Sequence, residues 1–147
     1  MSGIEAEVVV GRPRQEVFDF VSWGENLPHW NDSFKSVQPL TGGPPTQGSQ
    51  YQVSMDPGGD STFEYYEFVP GDRVCFHGSP IQMGPRTVNP RGQFYFEDAE
   101  GGGTRVRYVL DPQPVGGGKG TPPMMKRKIR KDVEKDLGRL KQVLEGG

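Results

Sequence analysis

The last long segment of the chain limits the fold more than any other. From Pro123 to Leu144, the residues Met125, Ile129, Val133, Leu137, Leu140 and Leu144 recur every three or four positions. They form one apolar stripe along a helix about 33 Å long at 1.5 Å per residue. Thr121 and the prolines after it supply a helix-start signal. Most of what precedes this helix has a period of two, so the surface left to cover the stripe is a β-sheet. The expected class is α+β, with one antiparallel sheet curved around one long helix.

The remaining elements follow from local punctuation. Ile4 to Val10 reads as a strand broken by Gly11-Arg12-Pro13, after which Val17, Phe18 and Val21 mark a short amphipathic helix that Pro13 can open. Pro28 begins a second brief helical turn. Six strands are expected next, at Phe34–Leu40, Ser49–Met55, Ser61–Val69, Arg73–Gly78, Val88–Asp98 and Thr104–Asp111, with glycine- and proline-rich turns between them. The total is about seven strands and two short helices, in a chain of 147 residues read as a single domain, 1–147.

Charge and cysteine content exclude several classes. The net charge is −2 with both signs interspersed, so no strong field recommends nucleic acid or an anionic membrane as partner. No segment reaches the apolar length of a membrane span and no secretory leader is visible, which predicts a cytoplasmic protein. A lone Cys75 cannot form an internal disulfide, and with no CxxC and no His/Cys cluster, no metal is expected.

The hairpin around Pro70-Gly71 allows a register argument. If these two residues are the whole turn, Val69 pairs with Asp72, Glu67 with Val74, Tyr65 with Phe76 and Glu64 with His77. Val74 and Phe76 form the apolar face, so Tyr65 and Glu67 are expected to point inward with them. A carboxylate on an apolar surface has its pKa raised by desolvation and suits proton transfer, with Tyr65 or Tyr108 as a neighbouring hydrogen-bond donor. The alternative is an inward Glu67 tied to an arginine as a structural pair. The same face logic lines the concave side with Tyr51, Val53, Met55, Phe76, Phe94, Phe96 and Tyr108, closed from the helix by Met125 and Ile129. Such an interior suits a flat, mostly apolar ligand, unless the rings simply fill a core.

The order of elements resembles the START/Bet v 1-like helix-grip superfamily, in particular its polyketide cyclase/dehydrase-type members. The resemblance is carried by Arg12-Pro13-Arg14-Gln15-Glu16-Val17-Phe18, by Glu25-Asn26-Leu27-Pro28-His29-Trp30, by Gly48-Ser49-Gln50-Tyr51, by Glu67-Phe68-Val69-Pro70-Gly71-Asp72-Arg73-Val74 and by Gly102-Gly103-Thr104-Arg105-Val106. It spans nearly the whole chain. It implies that the segment bearing His29 and Trp30 flanks a ligand cavity, where an inward His29 can move a proton and Trp30 can meet the ligand. His77, opposite Glu64, is expected to face outward.

Other signals read as structure. Gly116-Gly117-Gly118-Lys119-Gly120-Thr121 lacks phosphate-loop spacing and reads as a linker. The basic run from Lys126 to Lys131, followed by Asp132, Glu134 and Asp136, reads as a solvated helix face of mixed sign. The segment Ser79 to Arg86 carries Ile81 and Met83 between prolines and glycine, and reads as either a lid over the cavity or a packed edge loop.

Two functional classes remain open. One is a cofactor-independent enzyme, polyketide cyclase/dehydratase-like, that confines an apolar or aromatic intermediate and guides cyclisation or dehydration with Glu67, Tyr65 and His29 as candidate catalytic groups. The other is a non-catalytic carrier or sensor of a hydrophobic small molecule. Either works as a monomer or homodimer.

Overall fold

In the computed structural model, residues 3–56, 59–83, 85–115 and 121–146 are described. Strand β1 (Ile4–Val10) leads into α1 (Arg14–Ser22), a 3₁₀ turn at Gly24–Asn26 and α2 (Leu27–Trp30). The strands β2 (Phe34–Pro39), β3 (Gln50–Met55), β4 (Gly59–Val69), β5 (Arg73–Gly78), β6 (Ile81–Met83), β7 (Arg86–Asp98) and β8 (Thr104–Pro114) follow, and α3 (Pro123–Gly146) ends the chain. One antiparallel sheet runs β1-β8-β7-β5-β4-β3-β2, with β6 attached to β7 beside this path. This is the helix-grip arrangement of a curved sheet and a long C-terminal helix.

Local chemistry explains the elements. Pro13 precedes α1 with φ −61° and ψ 150°, and its carbonyl accepts the first helical hydrogen bond from Val17 at 3.1 Å. The alternation that marked the strands puts Val74 and Phe76 of β5, Phe94 and Phe96 of β7 and Val106 and Tyr108 of β8 on the inner face, all buried. Pro90 lies inside β7, where a proline is normally excluded. It falls in the gap between two partners on one side of β7, because β6 pairing ends at Val88 and β5 pairing begins at Arg91.

One open reading is decided and one expectation requires correction. Of the two readings of the segment from Ser79 onward, the packed edge holds and not the free lid: Ile81 starts β6, pairs with Val88 of β7 and is 6% exposed. The turn after β4 has three residues, Pro70-Gly71-Asp72, with Gly71 at φ +76° and the Asp72 N–H donating to the Val69 carbonyl at 2.9 Å. The register is therefore Val69 with Arg73, Phe68 with Val74 and Glu67 with Cys75. An irregularity between Tyr65 and Glu67 absorbs the offset, so Tyr65 still meets Phe76 and Glu64 still meets His77. The glycine-rich stretch 116–120, Gly84 and the side chain of Met83 lie outside the described residues.

The far end of α3 is tied to the β1–α1 turn. Gly11 N–H donates to Glu145 Oε2 at 2.6 Å, Arg12 Nε to the Leu144 carbonyl at 2.9 Å and Lys141 Nζ to the Val9 carbonyl at 2.9 Å. Among the described residues, no helix is long and apolar enough to cross a membrane.

Candidate functional site: a cavity beneath the long helix

Between the N-terminal half of α3 and the concave face of the sheet lies a cavity of about 350 Å³. Val53 and Met55 of β3, Phe63 of β4 and Phe76 of β5 form its aromatic and aliphatic floor. Ile81 of β6 and Tyr108 and Leu110 of β8 close one side, Asn31, Ser33 and Phe34 another, and Met125, Ile129 and Val133 the helix side. Lys128 and Asp132 also line it and are largely exposed, 77% and 57% at the side chain, which marks the opening to solvent. A pocket of this size and apolar character suits a small organic molecule held by a few polar groups.

The residues expected around a ligand divide into two sets. Val53, Met55, Phe76, Tyr108, Met125 and Ile129 stand together around the cavity. Tyr51, Phe94, Phe96 and Trp30 instead belong to solid packing. Tyr51 stacks on Phe63 with centroids 5.0 Å apart, and Phe96 meets Phe18 edge-on at 5.1 Å. Phe94 stacks on Tyr108 at 4.2 Å and meets Trp30 edge-on at 5.8 Å. The Trp30 indole N–H is fully buried without a hydrogen-bond partner among the described residues.

The three candidate catalytic residues do not converge. Glu67 shares a face with Cys75, which alternates with the inward Val74 and Phe76, so it lies on the outer side of the sheet. There Arg73 Nε donates to Glu67 Oε1 at 2.7 Å, and its Nη1 binds Asp72 Oδ2. The guanidinium holds the Glu67 carboxyl below its usual range, the reverse of the expected rise. The inward position expected for Glu67 failed because the turn is one residue longer than the register argument assumed. Tyr65 is buried and donates to the Ser22 carbonyl at 2.9 Å, and burial raises its pKa well above the usual value. His29 is exposed on α2 and is absent from the cavity wall. Cys75 is buried, and desolvation together with the nearby Glu67 charge pushes its thiol up to about 11, leaving it protonated and inert at neutral pH.

Sequence reasoning passed over a buried carboxylate on the wall. Asp136 was expected on a solvated face, but it is 7% exposed and lines the cavity from α3. Its Oδ1 accepts the Asp32 N–H at a long 3.4 Å, and Oδ2 has no hydrogen-bond partner among the described residues. Burial pushes the carboxyl up to about 6, the Asp32 N–H opposes this, and the charges of Asp32 and Asp132 add to the rise. Across the cavity, the buried Tyr108 is shifted upward mainly by desolvation and further by the Asp136 charge. A signal existed in the sequence: Asp136 follows Val133 by three positions and precedes Leu140 by four, within the apolar stripe.

Among the described residues, no three His, Cys, Asp or Glu side chains gather as metal ligands would. A curved sheet that grips one long helix around a hollow, apolar interior defines the helix-grip class of fold. Within that class, a family model described as polyketide cyclase / dehydrase and lipid transport matches residues 1–145, and the chain belongs to that family.

Solved structures share the fold at low identity. The di-domain ARO/CYC BexL from the BE-7585A biosynthetic pathway is 21% identical with a TM-score of 0.76, over 99% of this chain and 47% of BexL. DynU16, a protein of the dynemicin biosynthetic locus, is 19% identical with a TM-score of 0.70, over 99% of this chain and 48% of its own. The chain thus spans about half the length of each. Ara h 8.0201 is 12% identical with a TM-score of 0.73, over 99% of this chain and 98% of its own. No curated protein sequence matches this chain significantly.

Proposed function

We propose that this protein binds a polyketide-like intermediate in the cavity beneath α3 and guides its cyclisation or dehydration without a cofactor. The observation that carries this reading is the cavity itself, about 350 Å³ of apolar and aromatic wall with a buried carboxylate, in a chain of the polyketide cyclase / dehydrase and lipid transport family. A folded, ring-forming chain gains from confinement, because holding the reacting carbons in contact removes the entropic cost of finding one another. An aromatic floor of Phe63 and Phe76 favours a conjugated or ring-forming chain over a saturated one. BexL's role in a biosynthetic pathway supports the same reading by analogy.

The test is to fill the cavity without touching the rest. Val53→Phe places a ring in the floor between β2 and β4, and Ile129→Phe does so from the helix. Extracts of a host lacking the protein are compared after restoring wild type or either variant. Accumulation of an uncyclised or undehydrated precursor, relieved by wild type and not by a folded, cavity-filled variant, is the expected result. An unchanged product spectrum in the deletion host sinks the biosynthetic reading and leaves a carrier, for which the same cavity would bind a molecule without altering it.

A further inference from the structure

The α3 face over the cavity carries Lys128, Asp132 and Asp136 one turn apart among Met125, Ile129 and Val133. Lys128 and Asp132 pair with each other at 3.1 Å at the exposed end. Asp136 is different: it sits deepest, is nearly closed off from solvent, and meets one backbone N–H at a long distance. Trp30 Nε1 is the one fully buried side-chain nitrogen or oxygen without a partner among the described residues, so the second carboxylate oxygen of Asp136 is not sealed in protein but keeps access to the cavity space that the residue lines. The hydroxyl of Tyr108, on β8, also has no hydrogen-bond partner among the described residues. Two polar groups left open toward one apolar space are what a ligand with carbonyl and enol oxygens can complete.

We infer that Asp136 is the catalytic acid–base group of this cavity, acting on a β-dicarbonyl segment of the ligand. The inference rests on the reading of the cavity as a site for a polyketide-like intermediate. The carboxylate takes the proton from the carbon between two carbonyls, and the electron pair of that C–H bond becomes an enolate. The enolate carbon adds to a third carbonyl, farther along the same molecule, forming a C–C bond and turning that carbonyl oxygen into an alkoxide. The protonated Asp136 returns the proton to this oxygen, so the cyclisation is proton-neutral. Removal of a second α-proton with departure of the new hydroxyl as water completes a dehydration, again without an external reagent. Tyr108 stays protonated and donates to the carbonyl oxygen on which enolate charge develops.

The groups that face Asp136 fix its pH response. Asp132 and Lys135 lie on its own helix, Lys128 stands one turn beyond Asp132, Asp32 approaches from the α2–β2 connection with Arg139 bound to it at 2.8 Å, and Tyr108 faces it from β8. Burial and the two neighbouring aspartates together hold the carboxyl near 6, a value at which it can both accept and return a proton near neutrality.

The experiment uses an α-methylated aryl β-diketone, deuterated at the α-carbon, with the full-length protein. Binding is followed by calorimetry and loss of the α-deuterium by NMR, for wild type, Asp136→Asn and Asp136→Glu. The expected result is similar affinity for wild type and Asp136→Asn, with exchange faster in wild type by a factor on the order of 100. The wild-type rate should rise with pH to a plateau above about 6, the step should vanish in Asp136→Asn, and part of the rate should return in Asp136→Glu. A wild type that binds the diketone without speeding exchange, or an Asp136→Asn variant as fast as wild type, overturns the role of Asp136 while the cavity reading stands. Failure of the diketone to bind either protein overturns the β-dicarbonyl reading of the cavity and the inference with it.

Discussion

Toward its C-terminal end α3 lays Leu137 and Leu140 on filled core, where Phe18 meets both Phe68 and Phe96 edge-on with centroids 5.3 and 5.1 Å apart. Toward its N-terminal end the same helix turns Met125 and Ile129 to a void of about 350 Å³. The inner face of the sheet is aromatic at both ends, so hydrophobicity alone does not separate them. What differs is closure. At the filled end α1 and the β1–α1 turn press rings together and tie down the helix, whereas at the hollow end the small strand β6 and the α2–β2 connection stand around the space without entering it. Stability is thus concentrated away from the surface proposed to do chemistry, as expected where an active site must leave groups unpaired.

The sharpest way to break this contrast is to truncate one side chain at each end. Phe96→Ala, at a position 1% exposed, is expected to cost about 3–5 kcal/mol of unfolding free energy, since it opens a new void in close packing. Ile129→Ala only enlarges an existing space, at a half-buried position, and is expected to cost about 1 kcal/mol. Denaturant titration of both variants checks the ordering, and equal losses would mean that the hollow end is as load-sharing as the filled one.

A second effect concerns Asp136. Its usual value of 3.8 is raised to about 6 in the folded protein, so between these values the native state binds more protons than the unfolded one. Wild-type stability should therefore be fullest below about pH 4 as far as this group is concerned, and fall as pH rises through about 6. Asp136→Asn removes the penalty, and above pH 6 it should be more stable than wild type by an amount on the order of 3 kcal/mol. Unfolding curves for the pair at pH 4 and pH 8 measure this. A variant no more stable at the higher pH would show that the carboxylate is better solvated than its burial implies.

The smallest effect is expected on the outer face. Glu67→Gln weakens a half-buried pair with Arg73 on the outer surface of the sheet, and surface pairs of this kind contribute little. Product formation and ligand affinity should match wild type in the same host extracts and titrations. A loss of turnover would return Glu67 to the chemistry and displace Asp136.

Strand alternation made the inner face of β3, β7 and β8 readable, because each of these strands keeps the period of two across most of its predicted length, and in β5 Val74 and Phe76 marked it although Cys75 between them is buried as well. The same logic misplaced Glu67, since a two-residue and a three-residue turn are both compatible with Pro70-Gly71-Asp72 and differ by one position in which side chain shares a face. Asp136 was misread through its charge, because helical spacing placed it on the apolar stripe and composition placed it in water. Which aromatic residues fill a core and which bound a void was not legible at all. Phe76 and Phe94 are alike as residues, and only the packing of α1, α2 and α3 over them decides that one lines the cavity and the other is stacked under Tyr108 and Trp30.

The pairing of β1 with β8 also governs how this fold is reached. Ile4 meets Leu110 and Val10 meets Thr104, so the first strand waits for nearly the last one before it has a neighbour. The hairpins β4–β5 and β7–β8 close short loops and can form early, but the β1 edge and α3 require contacts between opposite ends of the chain. Loop-closure entropy makes such a topology slow to complete. During that interval, the concave aromatic surface stands uncovered. Newly made chains should therefore be most prone to self-association just before α3 docks, and a small molecule that fits the unfinished hollow would act on folding as well as on the finished protein.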